Sequence, residues 1–329
     1  MNEIQTVPGL PQKNVLGLVL KIIGLVILVA AVGGGASLAT RIWDPLWNPF
    51  RPSPEKVISQ MMDKMEQVKT ENFALEMTLV GKGLKTKGTM EAAESFDYSF
   101  KLNGISDASD PNKFKNDLNF NFSGQIADNK ISLIGEVINI DTDLYFILKK
   151  IEVPIDLNQI KNQWIKISKE TMEKIGAQEQ VQKETTEKLQ KLFIENKVYY
   201  VKEELPDQKI EGENMYHYSL AIDKEKTIKL IPEVVSSFFE AIGEINFDFL
   251  IGKKDNLLYQ FNLEKEIDVS KFDEKMRGMI SVKLNLTQSD FNKPVEVKVP
   301  ADYTDIEEIF PLENLMPNLM PNLNSIPAF

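Results

Sequence analysis

The chain holds one histidine and no cysteine, so the residue types that most often carry metals or nucleophilic catalysis are nearly missing. His217 stands between Tyr216 and Tyr218. With no second histidine it makes a poor metal ligand or triad base, and a surface histidine on the strand face opposite the two tyrosines is expected. Asp107, Asp110 and Asn112 in "ISDASDPNKF" cluster oxygen atoms, but the spacing and glycine of a calcium loop are missing. A polar turn is the expectation there. No G-x-S-x-G, phosphate loop or H-E-x-x-H occurs, which leaves hydrolase and nucleotide chemistry without a motif. The residues predict a protein that is not an enzyme and uses no cofactor or metal.

What the sequence does offer is apolar surface at a regular spacing. Phe73, Leu75 and Met77 alternate with polar or small residues, and so do Phe96, Tyr98 and Phe100, then Leu118, Phe120 and Phe122. Tyr218, the pair Phe247 and Phe249, and the pair Tyr259 and Phe261 repeat the pattern later in the chain. Period two places each set on one face of a strand. Two readings follow: a core packed under helices, or a cavity for acyl chains, where each buried methylene contributes about 0.8 kcal/mol.

The elements that must position these residues are mostly strands. Ser53 is placed to cap a helix with Pro54 at its first position, and Val57, Ile58, Met61, Met62, Met65 and Val68 recur at helical spacing. Alternating segments then run from Phe73 to the close at Val295 to Val299, including Ile131–Ile140, Leu144–Lys149, Trp164–Ile167, Val198–Glu203, Tyr216–Ile222, Ile245–Ile251, Leu257–Ile267 and Met279–Thr287. These make about ten to thirteen strands, mostly antiparallel because their connections are short. A helical insertion at 168–195 carries a thin apolar set, and Lys224 to Ile242 carries a broader one with Leu230, Ile231, Val234, Val235, Phe238 and Phe239. The fold class is therefore β-rich α+β: a wide antiparallel sheet, which must curl or split, with three helical elements to cover its apolar face.

Four phrases carry a family resemblance: "SPEKVISQMMDKMEQVKTENFALEMTL", "YHYSLAIDKEKTIKLI", "NFDFLIGKKDNLLYQFNLE" and "LNLTQSDFNKPVEVKVP". In order and pattern the chain from Ser53 to Tyr303 resembles the lipoprotein-carrier superfamily, which includes the Lol-type periplasmic carrier and the mycobacterial cell-envelope lipid-carrier lipoproteins. The resemblance implies an incomplete antiparallel barrel wrapped around helices, with an apolar cavity that holds acyl chains. The chain departs from that family in having no lipobox cysteine.

In its place, Val15 to Leu38 forms an apolar run with Lys21 as the only charge, long enough to cross about 30 Å of hydrocarbon at about 1.5 Å per residue. Ser37 and Ala39 would suit a signal peptidase, whereas Trp43 and Trp47 fall where an interfacial aromatic belt would sit. The tryptophans favour a retained anchor over a cleaved signal. The expected layout is a short tail at 1–14, a transmembrane signal-anchor at 15–40, a Trp- and Pro-rich linker at 41–53, a β domain at 54–305, and a low-complexity Leu/Met/Pro tail at 306–329. The N-terminus would be cytoplasmic and the bulk of this single-pass membrane protein extracytoplasmic.

The formal charge is -11, and an acidic body repels nucleic acid. The expected function is a membrane-tethered protein that holds or presents a lipid or other hydrophobic ligand. The alternative is an envelope interaction or sensor domain with a packed interior, contacting envelope proteins. The tail repeats Asn-Leu-Met-Pro twice, which is of low complexity and incompatible with a continuing helix; disorder is the first expectation for it, and a plug over an apolar opening is the sharper alternative.

Overall fold

The computed structural model describes residues 46, 49–86, 94–110, 113–126, 129–153, 157–174, 198–230, 242–271, 274 and 276–309. The expected span at 15–40, Trp43, Trp47 and the tail beyond 309 lie outside the described residues, as do 175–197 and 231–241 of the two later helical stretches. Among the described residues no helix is long and apolar enough to cross a membrane.

The described residues from Ser53 to Ile309 belong to one compact unit. It opens with helix α1 (Pro54–Met65), started as the sequence predicts: Ser53 is extended, its Oγ accepts from the Lys56 N–H at 3.4 Å, and Pro54 follows. The chain then enters β1 (Thr70–Thr86), β2 (Glu94–Asp107), β3 (Lys115–Ile126), β4 (Asn129–Ile140), β5 (Asp143–Glu152) and β6 (Ile165–Ile167), each antiparallel to the one before. A short helix α2 (Lys169–Lys174) follows.

A second meander comprises β7 (Tyr199–Ile210), β8 (Glu213–Ile222), β9 (Asn246–Gly252), β10 (Leu258–Asp268) and β11 (Met276–Ser289), with α3 (Lys224–Leu230) between β8 and β9. It starts at the far edge of the sheet and steps back until β11 pairs with β1. The last elements are β12 (Thr304–Asp305) and α4 (Ile306–Ile309). The result is one open, curved 12-stranded sheet in the order β12-β6-β5-β4-β3-β2-β1-β11-β10-β9-β8-β7. Side-chain bonds reinforce the β1/β11 seam: Thr70 Oγ1 donates to the Lys293 carbonyl, Asn72 Nδ2 to Asp290 and Gln288 Nε2 to Glu71, each at 2.7 Å.

Two strand expectations need correction. Val295 to Val299 is not in the sheet; flanking Pro294 and Pro300 lack the N–H a ladder requires, and Thr304–Asp305 instead pairs parallel to β6. The strand expected at Val198–Glu203 continues to Ile210. Pro206 is tolerated there because β7 is an edge strand and its register slips between Leu205 and Gln208.

Candidate functional site

Directly opposed residues of antiparallel strands share a face, so the registers decide which stripe residues meet. Across β1 to β4 the rows are Phe73–Gly104–Leu118–Val137, Leu75–Leu102–Phe120–Gly135, Met77–Phe100–Phe122–Leu133 and Leu79–Tyr98–Gly124–Ile131. Phe96 lies opposite Gly81 in the next row. In the other direction Met77 and Leu75 continue through Leu284 and Leu286 of β11 to Leu263 and Phe261 of β10, then to Phe247 and Phe249 of β9, and on to Leu220 and Tyr218 of β8. Thirteen of the fourteen residues predicted from alternation thus share one face of one sheet.

Tyr259 is the exception. A bulge between Leu258 and Gln260 breaks the alternation on β10, and the ring lies where a Cβ on Gly252 would point, on the opposite face. There it packs edge-on against Phe291 at 5.2 Å and donates its hydroxyl to Asp255 at 2.8 Å. Burial, then the bond to Asp255, raises its pKa.

The shared face has two parts. Over β7–β10 it is closed: Val57, Ile58 and Met61 of α1 pack on Tyr216, Tyr218, Leu220, Phe247, Phe249 and Ile251, all buried. Met62 and Met65 continue the contact, with Tyr199 Oη 3.6 Å from the Met62 sulfur. Over β1–β4 the side chains are only half-buried, Met77 is 38% exposed, and none of them belongs to the buried cluster under α1.

Rings in this second part lie flat rather than upright. A Cβ added at Gly81 would strike Phe96, at Gly124 Tyr98 and at Gly135 Phe120, so each ring covers the bare backbone of a strand beside its own. Tyr98 is also stacked on Phe122 at 5.8 Å. The outcome is an apolar platform. At about 3.4 Å per residue and about 4.8 Å between strands, it runs roughly 27 Å from Phe73 to Gly81 and about 14 Å from β1 to β4. One end is bounded by the polar row Glu71–Ser106–Asn116–Asn139. Burial raises the Glu71 pKa, and the bond from Gln288 opposes the shift.

Alternation did not expose the glycines. Their signal was in the sequence all the same: Gly81, Gly124 and Gly135 are in phase with the apolar residues of their strands, where a strand interior ordinarily excludes glycine.

The opposite face is polar over most of its width. A groove of about 590 Å³ crosses it, lined by Glu76, Asp248, Asn262, Glu264, Lys283 and Asn285 among others. Several of these side chains are paired across the groove: Asn262 Oδ1 accepts from Gln260 at 3.0 Å and Asn285 at 2.5 Å, while Lys283 pairs with Glu264 at 2.7 Å. His217 is on this face as expected, yet its side chain is only 13% exposed, with Nδ1 3.1 Å from Gln208 and Nε2 3.9 Å from Asp248. Asp107 forms a polar turn, its carboxyl held below the ordinary value by bonds from Ser109; Asn112 lies outside the described residues. Among the described residues no group of three or more His, Cys, Asp or Glu is placed to hold a metal ion.

No family model matches the chain, and no curated protein matches it significantly. Among solved structures it is similar to the Mycobacterium tuberculosis lipoprotein LppX, with 13% identity over 75% of this chain and 100% of that one at a TM-score of 0.35. It is also similar to LprF from Mycobacterium bovis, with 11% identity over 76% and 99% at a TM-score of 0.36. A third likeness is to the Pseudomonas aeruginosa MucA/MucB complex, with 9% identity over 75% of this chain and 60% of that one, TM-score 0.25. At these identities and TM-scores the likeness carries no argument about function, which rests on the site.

Proposed function

We propose that the protein binds a lipid or another hydrophobic ligand on the β1–β4 platform and holds it near a membrane surface, tethered there by residues 15–40 with Trp43 and Trp47 at the headgroups. One observation carries this reading. The same sheet face that α1 seals over β7–β10 is left only half-buried over β1–β4, and a contiguous apolar patch of this kind is often functional. The platform suits an extended acyl chain in length, and burial of methylenes would supply the affinity. Phe73, Leu75, Met77, Phe96, Tyr98, Phe100, Leu118, Phe120 and Phe122 would touch the ligand.

Native mass spectrometry and solvent extraction of residues 53–329 test this. Co-purifying lipid supports it, and Phe120→Arg should abolish uptake of a fluorescent fatty acid while the domain stays folded. Undiminished uptake by the folded variant would count against the platform. The second reading, an envelope interaction domain without ligand, draws its support from the closed part. Tyr218, Phe247 and Phe249, expected in the cavity, are core residues under α1. A clean apo mass would favour it.

A further inference from the structure

We infer that the chain's own C-terminal segment, Phe310 to Phe329, docks on the β1–β4 platform. The last described element, α4, follows β12 and ends at Ile309. Its Glu307 accepts a 2.8 Å bond from Thr171 of α2, which fixes the exit point beside β6 and β12. That is the edge of the sheet on the platform's side, since the order runs β12-β6-β5-β4-β3-β2-β1. From β12 to β1 is six strand spacings, about 29 Å at about 4.8 Å each. The 20 residues after Ile309 reach roughly 60 Å at about 3.1 Å per residue in an extended, proline-rich conformation. Length and starting point both allow the segment to cross the whole platform.

Its composition suits that surface and little else in the fold. Glu313 is its only charged side chain, and Leu312, Leu315, Met316, Leu319, Met320, Leu323, Ile326 and Phe329 supply apolar area. Pro311, Pro317, Pro321 and Pro327 exclude a helix and a regular ladder, so the segment gains nothing from a sheet edge. The flattened Phe96, Tyr98 and Phe120 rings leave a shallow surface open to an extended strap, and methionine adapts its shape to irregular apolar ground. Docking does not depend on any ligand. Its consequence, that strap and ligand compete, rests on the proposed function.

Because the chain has no cysteine, engineered pairs in the full-length protein give a clean readout. Leu319→Cys with Phe100→Cys reports the platform; Leu319→Cys with Asn262→Cys reports the opposite face. Copper-phenanthroline and oxygen take the two thiol hydrogens as the disulfide forms. We expect an intramolecular disulfide at least fivefold faster in the platform pair. Equal rates, or disulfides only between two chains, overturn the docking. In a second variant, Leu319→Asp with Met320→Asp, uptake of a fluorescent fatty acid should rise severalfold. Unchanged uptake overturns the competition. Selective cross-linking with no fatty-acid uptake by any variant leaves the strap standing and removes the lipid reading.

Discussion

Tyr218 and Tyr98 occupy the same face of the same sheet, and each stacks on an aromatic neighbour, Tyr216 at 5.9 Å and Phe122 at 5.8 Å. Tyr218 is fully buried and Tyr98 is not. The difference lies above the sheet. Val57, Ile58 and Met61 cover the first, whereas the second lies down over Gly124. One pattern of alternation can therefore be satisfied in two ways, by a helix from above or by glycines from the side. Only the first removes all the water, so only the first should behave as a core.

A charge separates the two most sharply. Ile58→Asp places an unpaired carboxylate in the closed part and should cost about 4 kcal/mol or more, whereas Phe100→Asp on the platform should cost roughly 1 kcal/mol. Urea unfolding measures both, and equal losses would mean that the platform is a sealed core after all. Truncations sharpen the same contrast. Leu220→Ala, in the closed part, should cost about 2–5 kcal/mol, and Leu75→Ala, half-buried, roughly 1 kcal/mol. The glycines come next. Gly135→Ala meets both the Phe120 ring and the Ile147 carbonyl, whereas Gly124→Ala meets chiefly the movable Tyr98 ring. The first should cost about 2 kcal/mol and the second less, with a changed near-ultraviolet dichroism in both as the rings lift.

How much of this the chain announced depends on distance along it. Period two placed Phe96, Tyr98 and Phe100 on one face because alternation is local. Ser53 and Pro54 announced the start of α1 for the same reason. The pairing of β1 with β11 was not legible, since it joins Phe73 to Gln288 and depends on the whole second meander stepping back. Without that seam no sequence pattern says that α1 covers Tyr218 rather than Phe120. Tyr259 shows the limit on a smaller scale. Its strand has the right alternation, and a single bulged residue reverses where the ring points. Pro294 and Pro300 worked the other way, breaking a strand that the apolar pattern of Val295, Val297 and Val299 proposed.

The smallest effect concerns Glu71, at the polar end of the platform. Burial raises its pKa, so the folded chain binds that proton more tightly than the unfolded one. Folding then takes up a proton between the two pKa values. Stability falls as pH rises from the ordinary carboxylate value, about 4.3, through the raised one. Glu71→Gln removes the charge and keeps an oxygen for the Gln288 N–H. Its melting temperature should match the wild type near pH 3.5 and exceed it at pH 7. A variant less stable at pH 7 would show that the bond from Gln288 outweighs the loss of water. The gap also reports on the platform's cover. A bound acyl chain reaching this end would strip more water from the carboxylate, raise its pKa further and widen the gap. If saturating fatty acid leaves the gap unchanged, the chain lies toward Gly81 and Phe96, and the polar row has no part in holding it.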